Sequence, residues 1–269
     1  MKRGSKLFSI LSAMLLTAAS ATVTGCSDRR TPAETLLNAA VDAARAGDWD
    51  KTFNSAVQVL KRDSGQPDAL VLHAIAAEKL GRTDLALNSA RKAAELHPGY
   101  YAAQYTLGRM LADRPGAAAE AILPLERALK ARPRDMNTLI LLGRVSGRIN
   151  ADNTIDYYRM LPAATQARPE IQNQIAIYYL ARRAADPRNL NRALQALSSA
   201  YKSDPDNPEI VHNLALFLDH YYPRDKLKAA RFYRRYLTLT RHNPELNPDR
   251  ARARARMREL APGMRELDQ

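Results

Sequence analysis

Apolar residues recur three and four positions apart along most of this chain, which is the spacing of amphipathic α-helices. Each such segment covers about a dozen residues and ends near Pro, Gly, Asp or Asn, which favour turns and helix ends. Alanine, the strongest helix former, is abundant throughout. Few stretches show the alternation of β-branched residues that is typical of strands. The pattern therefore predicts an all-α protein.

Part of this pattern returns after 34 residues. The segment from Gly81 to Ala90 resembles the segment from Gly47 to Ala56, with glycine, alanine and apolar residues at matching places. Related spacings divide the chain into six units, which start near residues 33, 67, 101, 136, 169 and 208. Such a recurrence indicates stacked structural repeats. The alternative is an Ala-rich helical bundle without repeats.

These units resemble tetratricopeptide repeats, which have a small residue at position 8, Gly near 15, Ala at 20 and 27, and Pro near 32. The clearest unit runs from Pro67 to Tyr100 and carries the matching residues Leu70, Ala74, Gly81, Ala86, Ala90, Ala93 and Pro98. The resemblance covers residues 33–244 and implies a right-handed helical solenoid of about six helix pairs. Pro124 and Pro162 fall inside second helices, where we expect kinks or late helix starts.

The N-terminus has the pattern of a secretory signal. Lys2, Arg3 and Lys6 precede an uncharged apolar run, as in the basic and apolar regions of such signals. The tetrapeptide that follows resembles the lipobox of bacterial lipoproteins and consists of Val23, Thr24, Gly25 and Cys26. The resemblance implies a lipid on Cys26, the only cysteine of the chain, and cleavage just before it. The alternative is an ordinary cleaved signal with an incidental cysteine.

These patterns predict four parts of the chain. Residues 1–25 are a lipoprotein signal peptide, 26–32 a lipidated tether, 33–244 the repeat domain, and 245–269 a basic capping helix and tail. The net charge is +13, and it becomes +10 without residues 1–25, which hold three basic residues and no acid. We expect a periplasm-facing protein in the bacterial envelope. Ser27 favours the outer over the inner membrane, because Asp at that place resembles an inner-membrane retention signal.

The last predicted helix carries a run of alternating arginines. It begins near Asn247 and contains Arg250, Arg252, Arg254, Arg256 and Arg258. Alternation on a helix spreads the charges around the cylinder and gives no apolar stripe. One interpretation is a capping helix with a solvated face, since the end repeats of a solenoid need a polar exterior. The other is a basic patch for anionic lipid, acidic polysaccharide or an acidic partner.

The chain lacks the usual motifs of catalysis. Its five histidines show no metalloprotease spacing, and there is no CxxC, no Gly-rich phosphate loop and no GxSxG. His212 and His220 lie two helical turns apart, but two histidines without a third ligand are a weak metal signal. We therefore predict a binding protein and not an enzyme, with no metal and no cofactor.

The resemblance also implies a binding groove lined by the first helix of each repeat. Counting along the units gives Tyr105, Arg109, Asn137, Arg144, Arg148, Asn173, His212 and Asp219 as candidate groove residues. Arg109, Arg144 and Arg148 would form a basic stretch suited to carboxylates. The alternative is that these arginines are only the polar face of each helix. The tetratricopeptide carboxylate clamp is not supported, because Asn is missing at position 9.

Two functions follow as hypotheses. The first is a membrane-anchored scaffold that binds protein partners in envelope assembly, in pilus and secretin, exopolysaccharide or peptidoglycan machinery. The second is a binder of anionic polysaccharide or a lipid surface through the basic face. Nucleic acid is not an expected partner, because the signal places the basic surface outside the cytosol.

Overall fold

The computed structural model describes residues 32–264. The predicted signal peptide, lipobox and Cys26 lie outside these described residues, as do residues 265–269. Between residues 32 and 264 the chain forms 14 α-helices and two short 3-10 turns, and no strand is found there. The all-α prediction is confirmed.

The helices follow one another with short connections. Their bounds are α1 Pro32–Ala46, α2 Trp49–Arg62, α3 Pro67–Lys79, α4 Thr83–Leu96, α5 Tyr101–Asp113, α6 Ala118–Ala131, α7 Met136–Arg148, α8 Thr154–Arg159, α9 Ala163–Gln166, α10 Pro169–Ala181, α11 Arg188–Ser203, α12 Pro208–Tyr221, α13 Lys226–Leu239 and α14 Asn247–Leu260. The chain divides into two compact units, residues 1–145 and 146–269, with the boundary inside α7.

The first compact unit consists of stacked helix pairs. The pairs α1/α2, α3/α4 and α5/α6 each pack along their length, and we call the first member of a pair the A helix and the second the B helix. The A helix of each following pair contacts both helices of the pair before it: α3 contacts α1 and α2, and α5 contacts α3 and α4. This nearest-neighbour packing is what defines a repeat protein.

The turn between an A helix and its B helix has the same geometry in separate repeats. Gly47 and Gly81 both have φ of +76°, the left-handed conformation that glycine adopts without steric cost. The backbone amide of the residue after the glycine donates a hydrogen bond to the carbonyl five positions earlier, as from Arg82 N to Ala77 O at 2.8 Å. In the fourth repeat Asn150 replaces the glycine with φ of +54°, and Ala151 N donates to Ser146 O. These bonds satisfy carbonyls left open at each A-helix end.

A glycine lets the two helices of the third repeat approach closely. A Cβ atom on Gly108 of α5 would lie 2.5 Å from Cγ of Leu125 on α6 and 3.3 Å from its backbone nitrogen. Leu125 is fully buried, so it has little room to move away. The position therefore requires glycine, which agrees with the small residue that the tetratricopeptide resemblance implies for position 8.

The second compact unit contains a broken helix. The B helix of the fourth repeat is split into α8 and α9, and Pro162 stands immediately before α9. A kink or a late helix start was expected at Pro162, and the helix is interrupted there. Pro124, in contrast, lies inside α6, which continues through it. Further along, α10 packs on α11, α12 on α13, and α14 on α13.

The A helices start where the sequence units start. They begin at Pro32, Pro67, Tyr101, Met136, Pro169 and Pro208. Residues 182–187 connect α10 to α11. These correspondences, with the repeated turns and packing, confirm the helical repeat fold.

Candidate functional site

In the first compact unit, the A helices are linked by alternating charges. Arg109 of α5 donates two hydrogen bonds to Glu78 of α3, at 2.9 and 2.5 Å. Arg109 also lies 3.9 Å from Asp113, one turn further along α5, and Arg144 of α7 donates to Asp113 at 3.0 Å. We call these four residues the charge ladder. It connects three successive A helices on one polar face.

The charge ladder corrects the expectation of a basic stretch. Arg109, Arg144 and Arg148 were expected to form a basic stretch, but Glu78 and Asp113 alternate with Arg109 and Arg144, and these four charges cancel. The Arg109 side chain is only 18% exposed, and its paired Glu78 holds its pKa above the usual value against the opposing effect of burial. Arg109 therefore joins neighbouring repeats, whereas the side chains of Arg144 and Arg148 are exposed.

Two other candidates in this unit occupy different environments. Tyr105 is buried, its ring stacks on Tyr101 with centroids 5.5 Å apart, and burial raises its pKa to about 12. Asn137 lies half-buried in the first turn of α7. Tyr105 therefore contributes to the buried core, and Asn137 retains some access to solvent.

In the second compact unit, Asn173 links two A helices. It is buried in α10, donates to the Glu209 carboxylate of α12 at 2.9 Å, and accepts from the Asn213 amide at 2.9 Å. A buried amide with both ends bonded is expensive to disturb. Asn173 therefore acts in this structure as a connection between repeats.

Asp219 of α12 is also engaged. Its side chain is 4% exposed, and it accepts two hydrogen bonds from Arg256 of α14, at 2.7 and 2.9 Å, and one from Tyr233 at 3.1 Å. The Arg256 hydrogen bonds, followed by that of Tyr233, hold the pKa of Asp219 below its usual value against the effect of burial. Sequence reasoning had placed Asp219 and Arg256 in separate sites, and the fold brings them together.

The five C-terminal arginines have different roles. Arg250 is 8% exposed and donates to the Leu237 carbonyl at 2.6 Å and to the Thr240 hydroxyl at 2.8 Å. Arg256 pairs with Asp219, as described above. Arg252 pairs with Asp249 within α14, Arg254 is half-buried, and Arg258 is exposed. At least two of the five therefore hold α14 against the preceding repeat.

The histidines form no metal site in the described residues. His212 stacks on Tyr236 at 4.4 Å, and burial lowers its pKa. His220 is exposed and lies beside Tyr221. Within residues 32–264 no three His, Cys, Asp or Glu side chains are grouped to hold an ion. In the same range, no helix combines the length and the apolar content needed to cross a membrane.

The candidate residues predicted from the sequence did not include those of the most basic helix within residues 32–264. The fourteen residues of α13 include Lys226, Lys228, Arg231, Arg234 and Arg235, and no acid. Arg231 and Arg234 line a cavity with Tyr201 of α11. The signal is present in the sequence as an acid-free basic segment inside a repeat, which lies outside both the A helices and the C-terminal arginine run.

Comparison with known proteins gives similarity at the level of structure. No family model matches the sequence, and no curated protein matches it closely. MamA superposes with a TM-score of 0.52 at 19% identity, over 62% of this chain and 94% of that one. YrrB, described as a TPR protein with an unusual peptide-binding site, gives 0.55 at 17% identity over 74% and 96%.

A third structure is a much longer assembly component. The Cut9-Hcn1 hetero-tetramer of the APC/C gives a TM-score of 0.55 at 15% identity, over 82% of this chain and 42% of that one. At these identities the similarity concerns the fold alone. Together with the stacked helix pairs and their repeated turns, it shows that this chain has a tetratricopeptide-like fold.

Proposed function

We propose that this protein is a lipid-anchored, periplasm-facing scaffold that binds protein partners during assembly of the cell envelope. The observation that carries the proposal is that A helices within each compact unit are joined through polar side chains, by the charge ladder in the first unit and by Asn173 and Glu209 in the second. Because neighbouring repeats are fixed to each other by these bonds, exposed side chains on the same helices are held in a defined order. Preorganised surfaces of this kind suit protein recognition.

The envelope part of the proposal rests on the sequence. The basic and apolar N-terminal segment and the resemblance of Val23–Cys26 to a lipobox support export and acylation of Cys26. More than one acyl chain gives stable anchoring. The scaffold would serve pilus and secretin, exopolysaccharide or peptidoglycan machinery, and identification of its partner would distinguish these pathways.

The other hypothesis, a binder of anionic surfaces through the C-terminal arginines, has less support. Arg250 and Arg256 contact the protein's own carbonyl, hydroxyl and carboxylate groups. An anionic surface would have to compete with these contacts. The C-terminal run therefore favours the capping-helix interpretation.

In-cell photo-crosslinking tests the scaffold proposal. A photoreactive amino acid is placed at Arg144 or Arg148, both exposed on the A helix of the fourth repeat, and as a control at Arg127, exposed on the B helix α6. We expect discrete protein adducts from the A-helix positions in the membrane fraction and few from Arg127. Identical adduct patterns from all three positions would contradict a specific partner-binding face, because they would reflect random encounters.

A further inference from the structure

Helix α13 presents an unusual concentration of positive charge. It carries five cations and no acid in fourteen residues. Of these, Lys228 and Arg231 are exposed and Arg234 is half-buried, and none of the three side chains has a hydrogen bond or ion pair within residues 32–264. Arg235 differs, because it donates to the Pro205 carbonyl at 3.0 Å and to Asp206 at 2.6 Å. Lys226 is also exposed, and the other three cations are available to a ligand at one cavity.

These cations surround a cavity with an aromatic floor. The cavity has a volume of about 440 Å³ and is lined by Tyr201 of α11 and, from α13, by Lys228, Arg231, Phe232, Arg234 and Arg235. The rings of Tyr201 and Phe232 meet edge to face with centroids 5.2 Å apart. The Arg235 guanidinium lies 5.9 Å from the Tyr201 ring, a cation–π distance. The site thus combines an apolar surface with a cationic rim.

Exposed leucines extend the apolar part of this surface along the helix. Leu227 is 50% exposed and precedes Arg231 by four residues, and Leu239 is 36% exposed and follows Arg235 by four. Residues four apart lie on the same side of a helix. Leucine and arginine side chains therefore share one face of α13, where a purely polar ligand would leave the leucines in water.

We propose that this face of α13 binds an acidic amphipathic helix of a partner protein. Lys228, Arg231 and Arg234 follow one another at intervals of three residues, which separates neighbours by about 4.5 Å along the axis. Acids three residues apart on a partner helix have the same spacing, and apolar residues between them would cover Tyr201, Phe232 and the exposed leucines. The inference deepens the proposed scaffold function, on which it rests, by naming a partner class and a site outside the A helices.

The test measures binding of a designed helix to the full-length protein. The probe is a fluorescein-labelled helical peptide with Glu at every third or fourth position and Leu between, on the same face. Its control has the same composition in an order that separates Glu from Leu. We expect Lys228→Glu/Arg231→Glu to weaken binding of the first peptide by about tenfold or more, because opposite charges become like charges.

A matched pair of residues controls for net charge. Arg127 and Lys130 are exposed on the B helix α6 at the same spacing of three. Arg127→Glu/Lys130→Glu changes the net charge equally, and we expect it to alter binding by less than about twofold. Thermal unfolding of both variants, followed by circular dichroism, establishes that each remains folded. Equal weakening by both charge reversals, or equal binding of both peptides, would overturn the proposal in favour of diffuse attraction.

Alginate and anionic phosphatidylglycerol vesicles complete the measurement. Alginate or the vesicles could bind more tightly than the ordered peptide and lose this binding in Lys228→Glu/Arg231→Glu. That result would also overturn the assignment to a protein helix. Membrane fractionation of this variant separates the inference from the proposed function. The wild type could fail to bind the peptide while the variant stays in the membrane fraction and still forms its A-helix adducts. That result would remove the α13 assignment and leave the proposed scaffold function standing.

Discussion

Replacing Gly108 by alanine is expected to lower the free energy of unfolding by about 2 kcal/mol. The new Cβ would lie 2.5 Å from Leu125 Cγ, so α5 and α6 must separate or Leu125 must leave its rotamer. Overpacking of this kind costs about 1–3 kcal/mol. Alanine is a better helix former than glycine by about 1 kcal/mol, and this gain offsets part of the steric cost. Urea unfolding followed by circular dichroism measures the change.

Gly147 provides the matched control. It lies in α7, and a Cβ there would be 3.6 Å from the Thr154 methyl group, an ordinary contact. Gly147→Ala should therefore leave stability unchanged or raise it by up to about 1 kcal/mol. Equal stability of Gly108→Ala and the wild type would show that α5 and α6 are not packed as closely as the structure has them.

Replacing Arg250 by alanine is expected to cost about 2–3 kcal/mol, since the hydrogen bonds of a buried charged group are lost. Its guanidinium satisfies the Leu237 carbonyl at the end of α13 and the Thr240 hydroxyl, and the variant leaves both without this donor. Because α14 covers Ala230, Tyr233 and Leu237, loosening it exposes part of an apolar cluster. Urea unfolding, with protease sensitivity near α14, measures the effect.

Arg258→Ala is the control for this second prediction. Arg258 belongs to the same arginine run but is exposed, so its loss should change stability by less than about 0.5 kcal/mol. The capping-helix interpretation requires the two variants to differ. Equal and negligible effects would instead favour the interpretation in which the run is a solvated binding patch.

The helical repeat could be predicted because its determinants are local and periodic. Gly81 ends an A helix through its backbone conformation, and Pro67, Pro169 and Pro208 stand where A helices begin. Pro162 breaks a B helix because proline lacks the amide hydrogen and clashes with the preceding turn. Each of these effects depends on a few neighbouring residues, so the sequence alone contains it.

The candidate site was less predictable, because partner choice depends on how successive helices pack. The repeat register placed Arg109 and Arg144 on A helices, but Glu78 and Asp113 reach them only through the stacking of neighbouring repeats. The same applies to Asp219, which meets Arg256 across 37 positions of sequence. The alternating arginine run could not show which side chains face inward, since that depends on the rotation of α14 against α13.

The intact mass of the protein purified from its own membrane fraction tests the anchored-scaffold account most directly. The account predicts a chain that begins at Cys26 and carries two or three acyl groups, and a Cys26→Ser variant that loses both the added mass and the membrane association. An unmodified chain beginning at Met1 and recovered from the cytosol would contradict the account, and would leave a tetratricopeptide-like fold whose basic surface serves another compartment.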